Sequence, residues 1–326
     1  MLASAPLPHR SVTGLAASLV IGLCTLAGTP AAQAQAWPSG PVEMVVPFPP
    51  GGSFDAVART FARLLEAKVK QPVVVQAKPG GSFVIGLSSV QAAPANGQSF
   101  YYGPVTPVTV HPHWMKTLPF GKDSFVPVCQ AFENTFVLVA GPESRYSRFA
   151  DVVAASKTGP VNYAHPGVSS SPHLAAAELF GKAGVQAVDI PYKGEPAIQQ
   201  ELIGKQIELA IVTAATVADF PAVKSLMVFA DRRLPSLPNT PTAKELGFNV
   251  TPSGYGGVFV RAGTPPAVIR QLESSCKDVL AEPELQDLVR RFSQRAEFLD
   301  SKAFGARIDA DHASKAELLK TVKLDR

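Results

Sequence analysis

The sequence predicts an α/β fold of two lobes, each a mainly parallel sheet flanked by helices, with two hinge crossings between them. Two observations carry this expectation. Apolar strand-like runs alternate with helix-spaced segments from Val42 onward, and short connections join them. No repeat or low-complexity linker separates the two series, so the chain is expected to pass between lobes more than once.

In order, Val42–Pro47 reads as a strand and Ser53–Lys68 as a helix, on the spacing of Val57, Ala58, Phe61, Leu64 and Leu65. Pro72–Ala77 is a strand, Phe83–Ala92 a helix and Ser99–Val105 a strand. Phe125–Ala131 and Phe136–Ala140 are strand-like. A second series follows: helix Phe149–Ser156, strand Val161–Ala164, helix His173–Ala183 and strand Ala187–Tyr192. It continues with helix Pro196–Gly204 and strands Ile207–Thr213 and Leu226–Ala230. Tyr255–Arg261 is a further strand, and the chain ends in helices, the first capped by Thr264-Pro265-Pro266. Crossings expected near Val137–Ala140 and Gly257–Val260 give one lobe of 37–138 and 258–326 and another of 139–257.

Residues 1–36 read as a cleavable signal peptide. His9 and Arg10 precede an apolar stretch from Val12 to Leu26, then A-x-A sites ending at Ala34 and Ala36. That stretch holds Gly14, Ser18, Gly22 and Thr25 and is short of the roughly 20 residues a membrane span needs. Leu23 before Cys24 is too large for lipoprotein processing. The mature chain is therefore expected to be secreted. Loss of Arg10 takes the formal charge from +4 to +3, and no basic stripe supports nucleic-acid binding. Charged residues at 17% and hydrophobics at 46% describe a well-packed protein rather than a disordered one. Cys129 and Cys276 are the cysteines left after cleavage. Cys276 falls on the stripe Val268, Leu272, Val279, Leu280, so burial as a small hydrophobe is the default, and a disulfide is permitted. Nothing has metal-ligand spacing, and no cofactor is expected.

Ligands of open α/β sheets sit beyond the carboxyl ends of the strands, which directs attention to four loops. The first is Gly51-Gly52-Ser53-Phe54-Asp55, where a strand feeds through two glycines into a helix and leaves free N–H groups at its positive end. The second carries Thr106. The third runs from His165 through Gly167, Ser169, Ser170 and Ser171 to His173, and the fourth is Tyr192-Lys193-Gly194-Glu195-Pro196. Serines before a helix are also ordinary caps, and Lys193 is equally readable as a solvated side chain.

These segments resemble the Bug receptors, the solute-binding components of tripartite tricarboxylate transporters. The resemblance rests on Pro47-Phe48-Pro49-Pro50-Gly51-Gly52-Ser53 with Asp55, and on Lys78-Pro79-Gly80-Gly81 with Gly86. It continues through Asn162-Tyr163-Ala164, Pro166-Gly167, Ser170-Ser171-Pro172-His173-Leu174 and Pro191-Tyr192-Lys193-Gly194. Leu237-Pro238, Thr240-Pro241-Thr242 and Ala262-Gly263-Thr264-Pro265-Pro266 complete it. It implies a two-lobed periplasmic binding protein that closes on a small carboxylate and delivers it to membrane permease subunits, acting as a monomer. It also implies that main-chain groups of the two glycine-serine loops hold one carboxylate, and that Asp55 faces the rest of the ligand.

Several residues depart from the family pattern. Phe54, Phe83 and Val84 stand where small or hydroxyl residues are usual; His165 replaces a serine, Ser169 a glycine and Glu195 a small residue. If these face the cleft, the ligand is expected to be a monocarboxylate or an aromatic acid rather than a tricarboxylate. Glu195 and Asp55 pairing with an amino group would instead favour an amino acid. Phe54 and Phe83 are equally readable as core residues. Catalysis is not expected: there is no second glycine for a G-x-S-x-G elbow after Gly167, no phosphate-loop motif and no H-E-x-x-H. A receptor that presents its acid to a membrane signalling partner instead of a permease needs the same closing lobes, and the sequence does not separate the two.

Overall fold

The computed structural model describes residues 1–3, 5, 37–250 and 252–322. The chain divides after Ala36, and Trp37 to Arg326 form one body. The segment read as a signal peptide lies almost wholly outside the described residues.

The first lobe is built from β1 (Val42–Val46), α1 (Gly52–Val69), β2 (Val73–Ala77), α2 (Val84–Ala92) and β3 (Ser99–Pro104). Two short helices, α3 (Thr106–Thr109) and α4 (His111–Trp114), precede β4 (Phe125–Glu133). The chain then builds β5 (Phe136–Ala140), α5 (Phe149–Ala155), β6 (Val161–His165), α6 (Ser171–Ala183), β7 (Ala187–Pro191) and α7 (Glu195–Ile203). The second lobe finishes with β8 (Leu209–Thr213), α8 (Ala214–Asp219) and β9 (Lys224–Phe229). Strand β10 (Tyr255–Arg261) and helices α9 (Pro266–Leu280), α10 (Pro283–Arg291) and α11 (Ser301–Thr321) follow.

The strands form two five-stranded sheets, β2-β1-β3-β10-β4 and β7-β6-β8-β5-β9. The orders match position for position, so each lobe repeats the other's topology. Orientation is mixed rather than uniformly parallel: β10 runs antiparallel to β3 and β4, and β5 antiparallel to β8 and β9. The reason is positional. β5 and β10 are the first strands after a passage between lobes, so each starts at the crevice end where the other strands finish.

Alternation along the strands gives each sheet a core on both faces. Val42, Met44 and Val46 enter one cluster and Val45 the other. In β5 every residue is buried, with Phe136, Leu138 and Ala140 on one side and Val137 and Val139 on the opposite side. A disulfide joins Cys129 of β4 to Cys276 of α9, with the Cα atoms 6.7 Å apart. Cys276 is thus buried, as its place on the apolar stripe implies, and bonded as well.

The crossings lie a few residues from where the sequence placed them. Val137–Ala140 is the interior of β5, and Gly257–Val260 the interior of β10. The first passage is Asn134–Thr135, and the second returns through Ser253–Gly254. They touch: Asn134 N–H donates to Gly254 C=O at 2.5 Å. Gly254 is required there, because a Cβ would lie 2.1 Å from the Asn134 carbonyl oxygen.

Candidate functional site: a cleft between the lobes

A cleft with about 870 Å³ of empty space, its open mouth included, lies where both sheets direct their strand ends. From the first lobe, the turn after β1 ends at Gly51, the N-cap of α1, with φ +87°. Gly52 opens the helix at φ +80°, a conformation open to glycine and strained for other residues. The first N–H groups of an α-helix have no carbonyl partner within it, so Gly52, Ser53 and Phe54 bring unpaired donors and the positive dipole end to the cleft.

From the second lobe, the loop after β6 ends at Ser170, the N-cap of α6, whose hydroxyl accepts from His173 N–H at 3.4 Å. Ser170 and Ser171 line the cleft opposite α1. The Ser171 hydroxyl donates to Ser253 C=O at 2.8 Å. Its single proton is thereby used, so Thr106 of the first lobe is the donor in the 3.2 Å hydroxyl pair that joins Thr106 to Ser171. The lobes also meet at the turn before α7. A Cβ on Gly52 would reach ordinary contact with Pro196 at 3.4 Å, and one on Gly194 would do so with Pro49.

Of the residues singled out in the sequence, Gly51, Gly52, Ser53, Phe54, Thr106, Ser170, Ser171 and Glu195 line this cleft together. Asp55, His165, Gly167, Ser169 and His173 do not. Asp55 turns back on its own loop, where Oδ2 accepts from Gly51 N–H at 3.1 Å and from Arg59 Nε at 2.9 Å. It braces the glycine turn and does not line the cleft. His165 and His173 stack at 4.0 Å behind the serine loop, buried, and both direct Nε2 toward Asp189, at 3.0 and 3.7 Å. Gly167 and Ser169, both at positive φ, belong to this brace: Gly167 C=O meets His165 Nδ1 at 2.8 Å and Ser169 N–H donates to His173 Nδ1 at 3.0 Å.

The cluster His165, His173 and Asp189 places its ligand-type atoms within 4.8 Å. Because Nδ1 of His173 accepts an N–H, its neutral ring carries the proton on Nε2 and offers Asp189 a donor, not a lone pair to a cation. Burial holds both imidazoles below the usual histidine range. For His173 the value is about 3, with the neighbouring His165 adding to the effect.

The cleft wall is aromatic. Phe48 packs on Phe54 at 4.3 Å and on Phe83 at 5.1 Å, and Phe54 meets Phe132 edge-on at 5.2 Å. Phe54 packs against the first lobe's core and Phe83 against Phe48, and both also line the cleft. Phe136 and Tyr255, the first residues of β5 and β10, extend the wall. Sequence reasoning missed them, along with Thr213, Thr216 and Asp219. Thr213 ends β8, and the rule that strand ends face the ligand would have found it.

Among the described lining residues there is no lysine, arginine or histidine, while Glu195 and Asp219 supply carboxylates. Glu195 opens α7, and its Oε1 accepts from Thr213 N–H at 2.9 Å. Its Oε2 accepts from the Thr213 hydroxyl at 2.7 Å and from the Thr216 hydroxyl. Burial pushes this carboxyl above the usual range, against the lowering effect of those bonds, and Asp219 raises it further. The described lining accordingly offers an anion N–H and O–H donors and no cationic side chain. Among the described lining residues no hydroxyl is paired with a histidine ring nitrogen, since both imidazoles behind the loop are engaged elsewhere.

Two repeated α/β lobes around a crevice lined by opposed helix starts are the architecture of a two-lobed solute-binding receptor. The chain belongs to the tripartite tricarboxylate transporter receptor family, whose model matches residues 57–324. It is 30% identical to Protein BugT of Bordetella pertussis over 285 residues, covering 83% of this chain and 85% of that one. The structure of the periplasmic binding protein BugD superposes with a TM-score of 0.80 at 27% identity, over 87% of this chain and 98% of that one. An R. palustris protein solved with adipate has the same fold, with a TM-score of 0.82 at 23% identity over 87% and 98% of the two chains.

Proposed function

We propose that the mature protein works in the periplasm, captures a small organic carboxylate between its lobes and delivers it to the permease subunits of a tripartite tricarboxylate-type transporter. The observation that carries this reading is the pairing of two helix starts across the cleft. Gly52 and Ser53 open α1, Ser170 and Ser171 open α6, and Thr106 bonds to Ser171 between them. Opposed N–H and hydroxyl donors reward closure, because a carboxylate gains both sets of bonds only when the lobes meet. The adipate bound to a protein of the same fold supports a carboxylate as cargo. Leader removal and periplasmic location follow the character of residues 1–36.

Titration calorimetry of the mature chain with small mono- and dicarboxylates tests capture. Binding by the wild type, lost in Ser170→Trp, is expected; equal binding by that variant would overturn the assignment. Delivery is tested by uptake: deletion of the gene should abolish transport of the bound acid, and unchanged uptake would count against a transport role.

A further inference from the structure

This inference rests on the capture of a carboxylate in the cleft and names which carboxylates are admitted. We infer that the cleft selects monocarboxylates with an apolar, aromatic-sized body, and that Glu195 is the residue that rejects a second carboxylate.

Three observations converge. The first concerns charge. A dicarboxylate in a closed cleft needs two anion seats, yet the described lining holds no cationic side chain and has two acids of its own. Donors can satisfy one carboxylate on the helix starts, but a second would enter a low-dielectric space beside Glu195 and Asp219.

The second is the way Glu195 is held. Both its oxygens accept from Thr213, and Oε2 also accepts from Thr216, so the donors that this part of the second lobe directs into the cleft are already taken. The N–H and two hydroxyls fix Glu195 by its oxygens, so this side chain presents filled acceptors to the cleft and no N–H donor. Its neighbours Gly194 and Pro196 lie against Pro49 and Gly52, so this occupied corner adjoins the start of α1. A second carboxylate that reaches α7 finds the Thr213 and Thr216 donors already taken.

The third is the wall. Phe48, Phe54, Phe83 and Phe132 form a continuous contact series, and Phe136 and Tyr255 extend the apolar surface. Desolvating an ionised group against those rings is costly, whereas an alkyl or aryl body gains by the area it buries.

The test compares ligands that differ in one end. Hexanoate and adipate share a six-carbon chain and differ by a methyl group against a second carboxylate; 3-phenylpropanoate adds an aromatic body, and phenylalanine the same body with an ammonium group. Calorimetry on the mature wild-type chain should show hexanoate at least 10-fold tighter than adipate, with 3-phenylpropanoate tighter still. In Glu195→Gln, whose fold is checked by its melting curve, the hexanoate-to-adipate affinity ratio should shrink about 10-fold. Asp219→Asn provides a second, smaller shift in the same direction and does not touch the threonine bonds. Wild-type adipate binding equal to or tighter than hexanoate overturns the inference, and so does an unchanged ratio in both variants. Phenylalanine binding 10-fold tighter than 3-phenylpropanoate overturns it too, by making Glu195 a cation partner. If none of these four acids binds, capture of a carboxylate itself fails, which is a different result from a reversed preference.

Discussion

Thr106 and Ser171 belong to different lobes, and their hydroxyl oxygens lie 3.2 Å apart at the base of the cleft. Because Ser171 gives its proton to Ser253 C=O in the returning crossing, one short chain of bonds links the first lobe, α6 and the hinge. The contact favours the closed arrangement before any ligand arrives. Thr106→Val keeps the shape and removes the donor, at a cost of about 1 kcal/mol. That should shift the open–closed ratio roughly 5-fold and weaken ligand binding by a similar factor. Small-angle scattering of the variant should show a larger radius of gyration without ligand and a wild-type value at saturation.

Cys129 and Cys276 are 147 residues apart, and the whole second lobe lies between them. Joining them shortens the unfolded chain's reach, an effect of about 5 kcal/mol in the chain-entropy view of so long a loop. The double Cys→Ala variant should unfold at markedly lower denaturant, with ligand affinity within 2-fold of wild type because the bridge lies in the first lobe's core. An unchanged urea midpoint would contradict a stabilising bridge.

Acid should destabilise the fold before it discharges the carboxylates. His111 is buried with both ring nitrogens unpaired, and burial lowers its pKa to about 3; His173 is lowered to about 3 as well. These bases take up protons in the unfolded chain first, so stability present above pH 6.5 drains away as pH falls toward 3. The slope is up to about 1.4 kcal/mol per pH unit for each histidine. Urea midpoints measured from pH 8 to 4 should fall accordingly, and less steeply in His111→Leu.

Glu195 gives the opposite sign. Its carboxyl is raised, so the folded state favours the protonated form, and the associated stability is lost as pH rises through that raised value. Glu195→Gln should therefore melt no lower than wild type at pH 8, and any advantage should vanish toward pH 4. Calorimetric melting across that range checks the direction; a variant that loses stability at pH 8 would contradict it.

The strands were legible because each is an apolar run closed by proline, glycine or a polar turn, as in Val42–Val46 before Pro47. Their directions were not, since burial alternation is the same whichever way a strand runs; hence the antiparallel settings of β5 and β10 emerged only with the sheets. Thr106–Trp114 reads as loop because two helices of one turn, each holding a proline, are too short to show a period. The glycine and serine loops of the site were readable from strand-to-helix punctuation. Asp55 stands off the cleft lining because an acid near a helix start serves equally as a brace for that turn. Glu195 was singled out in the sequence, but its threonine partners stand at the end of β8 and in α8, 18 and 21 residues away, beyond any local pattern.

The most direct measurement is a crystal structure of the mature chain with 3-phenylpropanoate. One carboxylate should lie between the lobes, its oxygens about 3 Å from N–H or hydroxyl donors of Gly52 or Ser53 on one side and Ser170 or Ser171 on the other. The phenyl ring should rest against Phe54 and Phe132. A carboxylate bound instead to a lysine or arginine outside the cleft, or contacting one lobe alone, would contradict the account.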